Sequence, residues 1–205
     1  MARPRSDIQP RLVRAARARF LAEGVDGASL RDIAKDARTN IGMVSYYFAT
    51  KDDLFLAVVE EVYAKLMEDL ASTLHADAPL RERLERVSAR IGHLSDHELD
   101  VVRLVAREAL SSNQRFGRLL ARFQAGHIAL LVAAVGEGVA AGEIDDRAPL
   151  PATLLITVAA LAVPQFMRRV LGKRVPLVDL PDADALAATL MDLLFGGIAG
   201  SRKRA

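Results

Sequence analysis

Residues 29–55 read SLRDIAKDARTNIGMVSYYFATKDDLF, and this stretch decides the fold. Ser29 followed by Asp32 predicts a capping box, each side chain satisfying an orphan amide of a first helical turn. Leu30, Ile33, Ala34 and Ala37 then fall at i, i+3, i+4 and i+7, one apolar face of a short helix. Asn40 is placed to cap a second helix. On its wheel Ile41, Val44, Tyr47 and Phe48 lean to one side, and Gly42, Met43, Ser45 and Tyr46 occupy the other side and its flanks. Thr50 and Asp53 form a further capping box, opening a long helix through Leu54, Val58, Val62 and Leu66. Helix, tight turn, helix is the helix-turn-helix pattern, with the second helix as the reading helix. Helical hairpins also occur in all-α proteins that never touch DNA, so the spacing alone does not decide function.

Charge points the same way. Before Asp52 there are ten basic and five acidic residues, a net +5, which leaves −3 for the remainder of a chain whose formal charge is +2. The positive charge sits on the segment that would meet phosphate. Arg11, Arg14 and Arg17 also suit the solvated face of a first helix, and Arg3 and Arg5 precede any helix, either as a short arm for the minor groove or as disordered chain, with disorder favoured in the absence of DNA.

The pattern Ile33-Ala34-x-x-Ala37, Gly42, Tyr46-Tyr47-Phe48, Lys51 and Leu54-Phe55, with Ala15-Ala16, Phe20 and Gly24 upstream, resembles the DNA-binding domain of TetR-family transcriptional regulators. The resemblance covers about the first quarter of the chain by motif and the rest by architecture. It departs from the family at two places. Where the family usually has Gly just after the second helix, at a position needing positive φ, this chain has Arg38. Keeping the left-handed conformation there costs on the order of 1 kcal/mol; otherwise the turn is reshaped. Where many members carry the first of two Tyr residues, this chain has Ser45, which is shorter and less able to reach a base. By resemblance, Tyr46 and Lys51 are expected on phosphates. Thr39, Asn40, Gly42 and Met43 are expected near base edges, and Ser29, Arg38 and Ser45 complete the DNA-facing set.

The rest of the chain reads as helices. Pro79 opens one through Arg90, with Leu80, Leu84, Val87 and Ile91 on one face. Ser95 and Glu98 make another capping box, starting a helix through Leu110. A long helical pattern follows over residues 114–141, then an apolar helix that Pro164 should kink or interrupt, and a last one over 182–198. Residues 172–181 read as a loop, and Arg202 to Arg204 as a basic tail. The expected architecture is all-α. A three-helix DNA-binding domain (1–51) is joined by the helix starting at Thr50 to a larger effector-binding and dimerisation domain (52–205).

Composition bounds the function further. Apolar residues make up 51% of 205, which excludes a disordered chain. There is no cysteine, hence no disulfide framework, thiolate zinc site or cysteine nucleophile. The N-terminus lacks an apolar signal segment, so a cytoplasmic location is expected. Residues 150–167 carry no formal charge, at the lower edge of a membrane span. Their prolines, threonines and glutamine, and the charges on both sides, favour a helix buried between protein layers.

Catalytic chemistry is not evident. His93 and His97 have the spacing of a metal pair, but the Ser95 cap separates them. His127 lies in an apolar run and reads as a core histidine more readily than as a ligand. No enzyme, metal or cofactor is expected. The residues and the resemblance together predict a homodimeric, ligand-responsive regulator of double-stranded DNA. Most such regulators are repressors, released from a pseudo-palindromic operator by a small apolar effector. Tyr63, Met67, Arg103, Phe123 and His127 are the candidate effector contacts. The competing reading is a helical small-molecule-binding or scaffold protein with a degenerate DNA-binding domain, for which Arg38 and Ser45 are the best support.

Overall fold

A computed structural model of the chain describes residues 7–144, 149–171 and 180–196. Among these it contains helices and no strand. The order is α1 (Ile8–Gly27), α2 (Leu30–Asp36), α3 (Ile41–Tyr47), α4 (Lys51–Leu74), α5 (Leu80–Gly92), α6 (Asp96–Ser111) and α7 (Asn113–Phe123). A π-type turn (Gln124–Ile128), α8 (Ala129–Ala140), α9 (Leu150–Leu171) and α10 (Ala183–Gly196) follow. The arm at Arg3 and Arg5, most of the loop expected over 172–181, Ile198 and the basic tail lie outside the described residues.

Local chemistry accounts for the helix starts. Asn40 Oδ1 accepts from the Met43 amide at 3.1 Å. Thr50 and Asp53 exchange the two bonds of a capping box, at 3.0 and 3.1 Å. Ser95 and Glu98 do the same at α6. Ser29 caps α2 by one bond, its Oγ accepting from the Asp32 amide at 3.4 Å. Each satisfies amides that the first turn would leave unpaired.

The chain divides into two compact units. The first comprises residues 1–67 and 95–123, and the second 68–94 and 124–205, so α4 contributes to both. The division expected at 51/52 follows the start of α4, whereas the packing groups α6 and α7 with the N-terminal helices.

In the first unit one core gathers Leu12, Ala16 and Phe20 of α1, Ile33 of α2, Val44 of α3, Phe55 and Val58 of α4, Leu104 of α6 and Leu119 of α7. Phe20 and Phe55 meet edge to face, ring centres 6.3 Å apart, a favoured geometry for aromatic pairs. In the second, α5 packs against α8, α9 and α10 through Leu80, Leu84 and Val87, with Leu161 and Met191 also buried. Gln165 is fully buried there, its Nε2 donating to the Ala183 carbonyl at 2.9 Å.

Two helices differ from expectation. The helix expected over 114–141 is interrupted by the π-type turn, where Gly126 takes φ −111° and ψ −116°. Without a Cβ, Gly126 leaves the helical basin at low cost. Conversely, α9 runs through Pro164 to Leu171 without interruption. Proline removes one backbone bond, and packing against α5 and α10 holds the rest. Two stretches, Gln114–Ala140 and Leu150–Arg169, are long and apolar enough to cross a membrane by composition. The first contains the break at Gly126. The second buries Thr157 and Gln165 among protein atoms.

Candidate nucleic-acid interface

The site is built on α2, the turn after it, and α3. The decisive position is Arg38, whose φ is 53°. Its amide donates to the Lys35 carbonyl and that of Thr39 to the Ala34 carbonyl, both at 2.9 Å. This is the Schellman pattern, which closes a helix with a left-handed residue, usually glycine. The turn is therefore kept, not reshaped, and Arg38 occupies the strained conformation.

The strain places a third cation beside two others. Arg31 and Lys35 precede Arg38 by seven and three residues, on one face of α2 and its extension. All three line an open groove with Thr39, Asn40 and Ile41. Arg31 and Lys35 were not among the sequence candidates; their spacing with Arg38 was the signal that marks them. Arg19 of α1 braces the end of α2, its Nε donating to Asp36 at 2.6 Å and its Nη1 to Glu23 of its own helix at 2.9 Å. That bond to Arg19 holds the Asp36 carboxyl below the usual carboxylate range.

On α3, Val44 and Phe48 are buried, Tyr47 and Met43 are half-buried, and Gly42, Ser45 and Tyr46 are exposed. Tyr46 stands out at 76% exposure, its ring set perpendicular to that of Tyr47 with centres 5.1 Å apart. Ile41 departs from its expected place on the packed side and is 43% exposed. A seven-residue helix buries little more than one turn, which Val44 and Phe48 fill; Ile41, at its first position, overhangs the groove. Of the expected DNA-facing set, Arg38, Asn40, Gly42, Ser45 and Tyr46 are exposed, Thr39 and Met43 half-buried, and Ser29 is half-buried with its hydroxyl used as a cap.

Lys51 has internal partners. Its Nζ donates to the Asp26 carbonyl at 2.8 Å and to the Ala28 carbonyl at 3.0 Å. The ammonium thus ties the start of α4 to the end of α1.

The expected effector residues do not form one group. Tyr63 is buried, packed on Phe123 with ring centres 5.3 Å apart, and the Arg122 guanidinium lies 4.7 Å from its ring centre. Met67 packs against the same core. Arg103, in contrast, is exposed and paired with Asp100 at 3.0 Å; three residues apart on one helix face, the two meet in solvent. His127 belongs to the second unit, in the π-type turn, where burial lowers its pKa. That unit holds a separate cavity of about 300 Å³, lined by Leu84, Glu143, Thr157, Ile156, Leu194 and Phe195 among others. On the surface, α9 exposes Leu155 and Val163, together with Ile156 at the cavity's edge, and α10 exposes Leu193. His93 lies in the turn that ends α5 and His97 in the first turn of α6, His93 Nε2 3.0 Å from Asp184 and His97 against Arg17.

Comparison with known proteins matches this arrangement. The profile of bacterial regulatory proteins of the tetR family matches residues 12–58. The HTH-type transcriptional repressor SCO4008 of Streptomyces coelicolor is 32% identical over 178 residues, 83% of this chain and 87% of that protein. The HTH-type transcriptional repressor Rv3405c of Mycobacterium tuberculosis is 33% identical over 119 residues, 58% of this chain and 55% of that one. Among solved structures, the transcriptional regulator FadR from Bacillus subtilis in complex with stearoyl-CoA superposes with a TM-score of 0.73. It is 21% identical and covers 92% of this chain and 98% of its own. At that identity the likeness concerns the fold. With its Schellman turn, its exposed α3 face, the family profile on residues 12–58 and a repressor relative matched over 83% of its length, the chain belongs to the TetR family of bacterial transcriptional regulators.

Proposed function

We propose that this regulator is a repressor, that it binds a pseudo-palindromic operator as a homodimer, and that a small, largely apolar molecule releases it. The observation that carries the DNA half is the groove of Arg31, Lys35 and Arg38 beside the exposed face of α3. Cations anchor the backbone while Thr39, Asn40, Gly42 and Met43 approach base edges. Tyr46 extends far enough to donate its hydroxyl to a phosphate. Repression is suggested by the two relatives named as repressors.

The dimer supports the geometry of such a reader. The exposed Leu155, Ile156, Val163 and Leu193 make an apolar face on α9 and α10, and an isologous interface using two helices from each protomer would cover it. Two copies of α3 related by a two-fold read half-sites about 34–36 Å apart, or a multiple of that. Transcriptional regulators of this family act in the cytoplasm in general, and the same location is inferred for this one.

The effector is the least constrained part. Among the described residues, the apolar surroundings of Tyr63, Met67 and Phe123 and the Leu84–Phe195 cavity both offer lipophilic contacts. FadR's complex with stearoyl-CoA makes a long-chain acyl thioester the first probe. Linkage fixes what an effector must do. To weaken DNA binding by about 1–3 kcal/mol it must prefer the DNA-free form by the same amount. The test is titration of the full chain with its own upstream DNA, with and without stearoyl-CoA. Specific binding that falls on adding the compound supports the proposal; binding that is unaffected removes this effector class, and absent specific binding removes the repressor reading.

A further inference from the structure

Arg115 is the most heavily used cation in the first unit. Only 8% exposed, it meets three carboxylates on three different elements. Nη1 and Nη2 grip Asp26 in a fork at 2.9 and 2.8 Å. Nε donates to Glu108 at 2.5 Å, and Nη1 lies 3.4 Å from Asp52. Asp26 ends α1, Asp52 opens α4, Glu108 is on α6 and Arg115 is on α7. One guanidinium therefore fastens the end of α1 and the start of α4, which bracket the α2–α3 reading pair in the chain, to α6 and α7.

The end of α1 is held from other sides as well. Its helix unwinds at Gly24, at φ 78°, and a Cβ there would stand 2.8 Å from Arg107 Nη2 of α6. The Asp26 carbonyl accepts from Lys51, while its carboxylate serves Arg115. Two other α7 arginines make looser pairs along α4, Arg118 with Asp53 at 2.7 Å and Arg122 with Glu60 at 2.8 Å. Both are substantially exposed, and such pairs contribute little. Arg115 differs because Glu108 is buried, at 2% exposure, and because the fork on Asp26 fixes direction as well as distance.

The Asp26 side chain is 80% exposed, so the core does not need it. Its pairing adds orientation rather than cohesion. We propose that Arg115, through Asp26, is a positioning residue that sets the orientation of the DNA-reading helices on α6 and α7, and so the separation of the two copies of α3 in the dimer. The inference rests on the reading of α3 as the DNA contact, but its physical content, a fixed orientation, is measurable without DNA.

The chain contains no cysteine, so a single Ala49→Cys substitution, at an exposed position just beyond α3, carries a spin label in each protomer. Distances between the two labels are measured in the full-length dimer for the Ala49→Cys parent and for the added substitutions Asp26→Asn, Asp26→Glu and Arg115→Met. The parent should give one narrow distribution. Asp26→Asn should broaden it with melting temperature nearly unchanged, and Asp26→Glu, which keeps the carboxylate, should recover most of the narrowness. In unlabelled protein, Asp26→Asn should weaken operator binding about tenfold and leave non-specific binding unaltered. Arg115→Met should broaden the distribution further, although burying an unpaired Glu108 can also lower stability. A distribution equally narrow in Asp26→Asn overturns the proposal, whatever happens to Arg115→Met. Failure of the parent to bind DNA would instead overturn the α3 reading and leave the distance result intact.

Discussion

Replacing Arg38 with glycine separates the two consequences of its position. The backbone φ of 53° is natural for glycine and unfavourable for arginine. Relieving that conformation is worth about 1–2 kcal/mol, and the extra freedom of glycine in the unfolded chain takes back about 0.5–1 kcal/mol. The expected net gain is about 0.5–1 kcal/mol, a rise of roughly 1–4 °C in melting temperature for a chain of this size. DNA binding should move the other way. Arg38 lines the groove with Arg31 and Lys35, and one lost phosphate contact reduces the slope of log affinity against log salt by about 0.9. Arg38→Lys serves as the control, keeping both charge and strain, so both quantities should stay near those of the parent. Calorimetry and operator titrations at four or five salt concentrations provide the two readouts. A lower melting temperature for Arg38→Gly would refute the strain account. An unchanged salt slope would remove Arg38 from the phosphate contacts.

Three other perturbations test separate parts of the structure. Lys51→Ala removes two bonds from an ammonium to the Asp26 and Ala28 carbonyls. It should cost about 1–2 kcal/mol of stability and change the salt slope by less than one unit; a full-unit change with no loss of stability would put Lys51 on phosphate instead. Leu155→Arg, at a position 71% exposed in the protomer, should fold normally yet sediment as a monomer with little operator affinity, and a dimer of parental affinity would move the interface elsewhere. Burial holds His127 below its ordinary value of 6.5, so the unfolded chain takes up that proton first. Its contribution is present above 6.5 and lost as pH falls through the folded value. A melting-temperature profile from pH 7.5 to 5 should be flatter in His127→Gln, and superimposable profiles would contradict this.

How much of this was legible depends on the range of the interaction. Caps and turns are local, so Asn40, Thr50 with Asp53, and Ser95 with Glu98 marked their helix starts from sequence alone. Arg38 was legible as a problem, a side chain where the turn demands a left-handed residue, while its solution needed the backbone. Contacts between distant residues were not legible. Nothing near Lys51 in sequence announces that its ammonium meets carbonyls more than twenty residues earlier. The cluster of three carboxylates around one arginine needs residues 26, 52, 108 and 115 to converge, and the Leu84–Phe195 cavity draws on several separated segments. Arg103 was chosen as an effector contact from its helix alone, although Asp100, three residues away, was the nearer partner. The break at Gly126 was hidden because apolar periodicity continues across it, and Pro164 suggested a kink or an interruption, yet α9 continues through it.

The central claim is that α3 and the turn before it read DNA as a symmetric pair. Hydroxyl-radical footprinting of the purified chain on the DNA upstream of its own gene tests it most directly, repeated with Tyr46→Ala. The expected result is two protected half-sites of inverted sequence, centred one helical turn or a multiple of it apart, lost at the same protein concentration in the variant. Protection spread evenly along the fragment, or a footprint that Tyr46→Ala leaves unchanged, would contradict it.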